Sequence, residues 1–188
     1  GGTYTRARRQ MLIDAVYKLI AQSKALKLKK GSVCESNYRY DLVEFGSAVM
    51  ADYAYDLLLG IRTAKDAAGE DFATDAAYMA RRDAFLALIA DVDAFKGTNL
   101  NFRLGKWTQE ARDAAAEVEG ATTATADWYE FNNARTLITT WSSPNTNLND
   151  YSYRSWQGLI KDFYLPRWQH FFDNGCKPAD YGFFEWNW

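Results

Sequence analysis

Side chains able to move a proton or hold a metal are few and scattered in this sequence. His170 is the single histidine of 188 residues, so Ser-His-Asp and Cys-His catalysis would each have to run through it. A histidine-rich metal site is impossible. His170 sits among Trp168, Phe171 and Phe172, where packing or capping is its expected role. Cys34 and Cys176 lie far apart and form no CxxC; two free thiols and one disulfide both stay open. No zinc motif, P-loop, Gly-rich phosphate loop or GxSxG is present. Neither a metal nor a cofactor is expected.

Carboxylates are plentiful, and a pair of them could cleave a glycosidic bond. A retaining mechanism needs two carboxyls about 5–5.5 Å apart, an inverting one about 6.5–9.5 Å. Helical neighbours such as Asp113 and Glu117 meet that distance, yet they point to solvent on an Ala-rich segment. Catalytic acids instead face each other across a partly desolvated cleft. Glu130 and Asp150 border an aromatic region, but as lone acids they are expected to cap helices or pair with Arg135 or Arg154. By its own residues the chain is expected to be a poor stand-alone enzyme.

Aromatic residues are the stronger signal. From Trp128 onward lie 17 of the 30 aromatic residues and six of the seven tryptophans. An aromatic-rich core with a packed tail (Tyr181, Phe183, Phe184, Trp186, Trp188) accounts for many of them. Rings at a surface would instead offer apolar faces against which sugar C–H groups stack. Trp141 and Tyr151 are the best candidates, because they flank the polar stretch Ser142-Ser-Pro-Asn-Thr-Asn147 rather than sitting within an apolar stripe.

The elements that must position these residues are helical. Apolar residues recur at helical spacing in about six segments: Tyr4–Leu28, Tyr38–Ala68, Phe72–Lys96, Lys106–Glu119, Thr123–Thr140 and Asp150–Asp173. The first presents Leu12, Ile13, Val16, Leu19 and Ile20. The second has the clearest stripe, with Leu42, Val43, Val49, Met50, Tyr53, Leu57 and Ile61. In the fifth, Trp128, Phe131, Ile138 and Trp141 follow one another, and Pro166 is expected to kink the sixth. Gly31, Gly69, Gly97, Gly120 and Gly175 sit where left-handed helix ends are wanted, and the basic run Lys24–Lys30 fits a helix C-terminus. No period-2 strand and no internal repeat stands out. The expectation is an all-α fold, an irregular bundle of about six helices with a Pro-kinked last long helix, forming a single domain over 1–188.

Net charge is −2, from 22 basic and 24 acidic side chains. That balance gives no footprint for nucleic acid and no attraction to an anionic membrane. No apolar stretch approaches the roughly 20 residues that span a bilayer. No signal peptide is evident, and Gly1-Gly2 reads as a cut edge rather than a natural start.

Several separated motifs carry a resemblance. Tyr38-Arg-Tyr-Asp-Leu42, Leu104-Gly-Lys-Trp107, and Trp128-Tyr-Glu-Phe-Asn-Asn-Ala-Arg135 followed by Trp141 lie in order. Asp150-Tyr151, Gly158-Leu159 and Tyr164-Leu-Pro-Arg-Trp168 complete the series. Together they resemble the C-terminal helical region of the α-N-acetylglucosaminidases, family 89 of the glycoside hydrolases, over about Tyr4 to Asp173. The segment between Trp141 and Tyr151 is one residue longer than in the family's mammalian members, and the tail after Gly175 departs from the pattern.

The resemblance implies a large exo-glycosidase that removes terminal α-linked N-acetylglucosamine with retention. Its catalytic glutamates would lie in a (β/α)₈ barrel of the same polypeptide, outside this chain. The helical domain would supply one wall of the substrate pocket, with Trp141, Leu148 and Tyr151 lining it and Asn133 and Arg135 supporting the loop. The implied partners are that barrel and a glycan ending in α-N-acetylglucosamine, and the implied location is extracytoplasmic (lysosomal, secreted or periplasmic). The alternative is a stand-alone carbohydrate-binding or helical interaction module without catalysis.

Overall fold

The computed structural model describes residues 6–23, 25–137 and 153–177. Six α-helices are found there: α1 (Arg6–Gln22), α2 (Val33–Ala68), α3 (Ala76–Lys96), α4 (Leu104–Ala115), α5 (Thr123–Arg135) and α6 (Leu165–Asp173). The described residues contain no strand, only an isolated bridge between Arg103 and Gln157. The all-α expectation is met. The chain divides into two compact units, Gly1–Asn99 and Leu100–Trp188. The tail aromatics Tyr181 to Trp188 lie outside the described residues.

In the first unit α1 packs on α2 and α2 on α3. Their core is Val43, Ala54 and Ile61 on α2 with Tyr78, Phe85 and Val92 on α3. Of the stripe expected on α2, Tyr53 is instead exposed. Helix α1 stops six residues sooner than its pattern suggests. The Ser23 hydroxyl donates to the Ile20 carbonyl at 2.6 Å, and the chain turns before Lys27. Lys27, Lys29 and Lys30 are therefore exposed in the connection and not in a last helical turn, where their mutual repulsion would act at close range.

Helix α2 starts five residues before the expected Tyr38. Ser32 is its N-cap, its Oγ accepting from the Glu35 amide at 3.2 Å. Glu35 reaches back to accept the Gly31 amide at 2.6 Å and meets Arg39 one turn on at 2.9 Å. The Gly31 amide, then Arg39, hold the Glu35 carboxyl below its ordinary 4.5. A carboxyl lowered in the folded state stabilises fully above its unfolded pKa, and that contribution is lost as pH falls through the folded value. Glu35→Gln is thus expected to be less stable than wild type at pH 6. The difference should close as pH drops below about 4.5, as followed by urea unfolding. A difference independent of pH would remove Glu35 ionisation from the account.

The chain turns from α2 to α3 through a 3₁₀ segment, Gly69–Thr74. Gly69, at φ 66°, closes α2 in a conformation that favours glycine. Asp75 then caps α3, accepting the Tyr78 amide at 2.8 Å, so α3 begins at Ala76 and not at Phe72. Gly97 is right-handed, φ −61°, and corrects the left-handed end expected there. Asp93 and Lys96 are both buried. Burial pushes the Lys96 ammonium down, and Glu44 of α2 partly restores it.

In the second unit α4 and α5 form the principal helix pair. A reciprocal pair of hydrogen bonds between Thr122 and Thr125 caps α5. The sixth helix differs most from expectation. Residues 153–157 are not helical, because the main chain of Gln157 is engaged elsewhere. Its N–H donates to the Phe102 carbonyl at 2.7 Å, and its carbonyl accepts the Leu104 N–H at 3.0 Å. Gly158 follows at φ 91°. A π-helical turn, Ile160–Tyr164, then leads into α6, with Pro166 in the first turn. The proline thus sits where the wider π turn, closed by the Leu165 N–H on the Ile160 carbonyl, meets the α-helix. Leu159, Ile160, Phe163, Tyr164 and Phe172 are buried, and Trp168 stacks on Phe172 at 5.9 Å.

Candidate functional site

The site is built on the α4–α5 pair. Trp107 lies in the first turn of α4, and its indole N–H donates to the Asn133 carbonyl at 3.2 Å. Asn133, near the end of α5, returns a bond from its side-chain amide to the Trp107 carbonyl at 3.1 Å. This reciprocal clamp joins the two helices near the C-terminal end of α5. One turn further along α4, Arg112 meets both Asp127 at 2.6 Å and Glu130 at 2.5 Å. Those hydrogen bonds raise the Arg112 pKa, Asp127 contributing the larger part. Glu130 thus pairs across the helices with Arg112, and not with Arg135 or Arg154 as expected.

Beside the clamp is a cavity of about 450 Å³, lined by residues including Arg103, Lys106, Trp107, Glu110, Arg154 and Trp156. Thr136 and Leu137, which lead into residues 138–152, also border it. Trp107 and Trp156 meet at 5.6 Å between ring centroids. The size falls within the range of small-molecule sites. Glu110 is the one carboxylate among the lining residues, and Lys106 holds it at 2.6 Å. Among the described lining residues there is thus no second carboxylate to make an acid/base pair for glycoside cleavage. What it offers is ring faces and hydrogen-bond donors, equipment for holding a ligand.

Residues 4–181 match the family described as Alpha-N-acetylglucosaminidase (NAGLU) C-terminal domain. The chain belongs to this family. Human alpha-N-acetylglucosaminidase is 35% identical over 86 residues, which is 46% of this chain and 11% of that protein. The fold is shared with a family 89 glycoside hydrolase from Clostridium perfringens solved in complex with PUGNAc. That match has a TM-score of 0.74 at 24% identity and covers 95% of this chain and 20% of that one. The Clostridium perfringens enzyme solved with its substrate GlcNAc-α-1,4-galactose matches at 27% identity with a TM-score of 0.67, over 80% and 18% of the two chains. The present chain therefore spans about a tenth to a fifth of the length of these relatives.

Among the residues singled out from the sequence, Asn133 and Arg135 lie on α5 at the foot of the 138–152 segment, both half-buried. Asn133 makes the clamp just described. Trp141, Leu148, Tyr151 and the neighbouring acid Asp150 lie outside the described residues, as does the turn-forming stretch Ser142–Asn147. Asp113 and Glu117 are exposed on α4 and beyond its end, as expected. His170 faces Asn174 one turn on, its Nδ1 3.2 Å from the amide nitrogen. Neither Cys34, which is exposed, nor Cys176, which is half-buried, is in a disulfide. Among the described residues no cluster of metal-ligating side chains forms, and no helix is long and apolar enough to cross a membrane.

From the sequence, Trp156 is expected on the apolar stripe of the sixth helix, and none of Trp107, Trp156, Arg103 and Lys106 is expected at a ligand site. Trp107 carried a usable signal, since the Leu104-Gly-Lys-Trp107 motif of the α-N-acetylglucosaminidase domain ends on it. Arg103 and Trp156 reach the cavity through the contact between residues 102–104 and 157, which no local pattern announces.

Proposed function

We propose that this chain is the C-terminal helical domain of an exo-acting α-N-acetylglucosaminidase, supplying part of the wall of a substrate pocket whose catalytic carboxylates belong to a (β/α)₈ barrel elsewhere in the polypeptide. The observation that carries this is the family match over residues 4–181. A ligand-sized cavity with one neutralised carboxylate supports the division of labour. In this reading Trp141 stacks on the terminal sugar, Leu148 keeps one edge dry and the Tyr151 hydroxyl donates or accepts a hydrogen bond. Asn133 and Arg135 fix the foot of the segment that carries all three. Such contacts align the sugar for attack and add no chemistry of their own. The substrate is a glycan ending in α-linked N-acetylglucosamine, and the enzyme works outside the cytoplasm.

The test is hydrolysis of a chromogenic α-N-acetylglucosaminide by this chain and by the full-length protein, side by side. Activity is expected only in the longer protein. Trp141→Ala is expected to reduce it about 100-fold, the scale of a misplaced substrate, with unchanged thermal unfolding. Turnover by the 188 residues alone would overturn the reading, and so would a full-length protein without activity.

A further inference from the structure

Helix α5 exposes two rings that its stripe pattern would bury: Trp128 is 63% exposed and Phe131 58%. Trp128 borders a second groove, of about 440 Å³, on the α4–α5 face. Ala111 and Ala114 are among its lining residues on α4, and Tyr129 and Asn132 among those on α5. This groove shares Trp107, Glu110 and Thr136 with the cavity at the foot of residues 138–152.

We infer that the α4–α5 groove is a second glycan contact, binding a neutral pyranose ring stacked on Trp128. The inference rests on the glycan-processing role proposed above and adds a site outside the pocket for the terminal sugar. A pyranose has a C–H face that suits an indole and a rim of hydroxyls that needs hydrogen-bonding groups beside that ring. The groove has both. The Trp128 ring is braced edge-on by Tyr129, at 5.6 Å between centroids. One turn along, the Asn132 amide nitrogen is fixed on the Trp128 carbonyl at 2.7 Å, which leaves its amide oxygen as an acceptor. Across from it on α4 stand the Glu110 carboxylate and the small side chains of Ala111 and Ala114.

Continuity with the neighbouring cavity through Trp107 favours a ring of the same glycan chain, one or more residues away from its terminus.

The indole N–H signals of this chain, with that of Trp128 assigned by its loss in Trp128→Phe, report on the site directly. Titration with millimolar GlcNAc-α-1,4-galactose is expected to move the Trp128 signal saturably. Trp128→Ala is expected to weaken binding at the groove about tenfold, read from the Tyr129 and Asn132 amide signals. Because Trp128 is exposed, its thermal unfolding midpoint should stay at the wild-type value, and Trp128→Phe should keep part of the affinity. A Trp128 signal unmoved by saccharide overturns the inference. So does one that moves with protein concentration alone, which would mark a contact between copies. If the groove fails this test while the full-length protein hydrolyses α-N-acetylglucosaminides, only the second contact is lost. If Trp128 responds but the full-length protein is inactive, the proposed activity falls and the groove stands.

Discussion

Trp107→Ala is expected to lower the stability of the second unit by about 3 kcal/mol, the low end of the range for removing a large aromatic ring. Three losses combine. The ring's packing against Trp156 goes, the indole bond to the Asn133 carbonyl goes, and a hole opens between α4 and α5. The ring is only half-buried, which keeps the effect from the top of the range. Asn133→Ala removes one bond of the same clamp and should cost about 1 kcal/mol. Because the two residues share the clamp, the double variant should lose less than the sum of the singles. Urea unfolding of the four proteins measures all of this. A Trp107→Ala protein within 0.5 kcal/mol of wild type would mean that the clamp is incidental to the α4–α5 pair.

The second large effect is a reversal of sign within one helix. Gly46 and Gly60 both lie inside α2, where alanine is ordinarily favoured by about 1 kcal/mol. A Cβ at Gly46 would stand 2.7 Å from the Phe95 ring of α3, closer than carbon atoms pack. The ring would have to swing away from α2, at a cost of about 1–3 kcal/mol. At Gly60 the nearest atom is the Arg81 guanidinium at 2.9 Å, on an exposed and flexible side chain that moves aside easily. Gly60→Ala should therefore raise the thermal midpoint and Gly46→Ala lower it. Adding Phe95→Leu should return part of the loss at Gly46, since the shorter side chain makes room. If both alanines shift the midpoint in the same direction, the close approach of Gly46 to Phe95 does not govern this crossing.

The helices were legible because their signals are local. Val43, Ile61, Phe85 and Val92 recur at helical spacing and are buried as that spacing requires. The early start of α2 was legible too, since Ser32 and Glu35 stand three residues apart as a capping pair; the apolar stripe from Tyr38 simply hid it. The non-helical stretch before Gly158 is a different case. It depends on Phe102 and Leu104, more than fifty residues earlier in the chain, whose main-chain groups engage Gln157. The exposure of Trp128 and Phe131 was equally out of reach, because periodicity names a face of a helix but not what covers it. At the site, the family motifs led to Asn133, whose partner Trp107 is visible only once α4 and α5 are paired.

The link between residues 102–104 and Gln157 has a consequence for sequence drift. Both of its hydrogen bonds are made by the main chain, so they are indifferent to the side chain at position 157. Only proline, which lacks the N–H, would cut one of them. Selection can therefore vary the side chains that follow the 138–152 segment, and with them the fit to a ligand, without releasing the backbone that carries them. A change of side chain at position 154, which lines the cavity, would thus alter the cavity's chemistry and leave its main-chain frame in place.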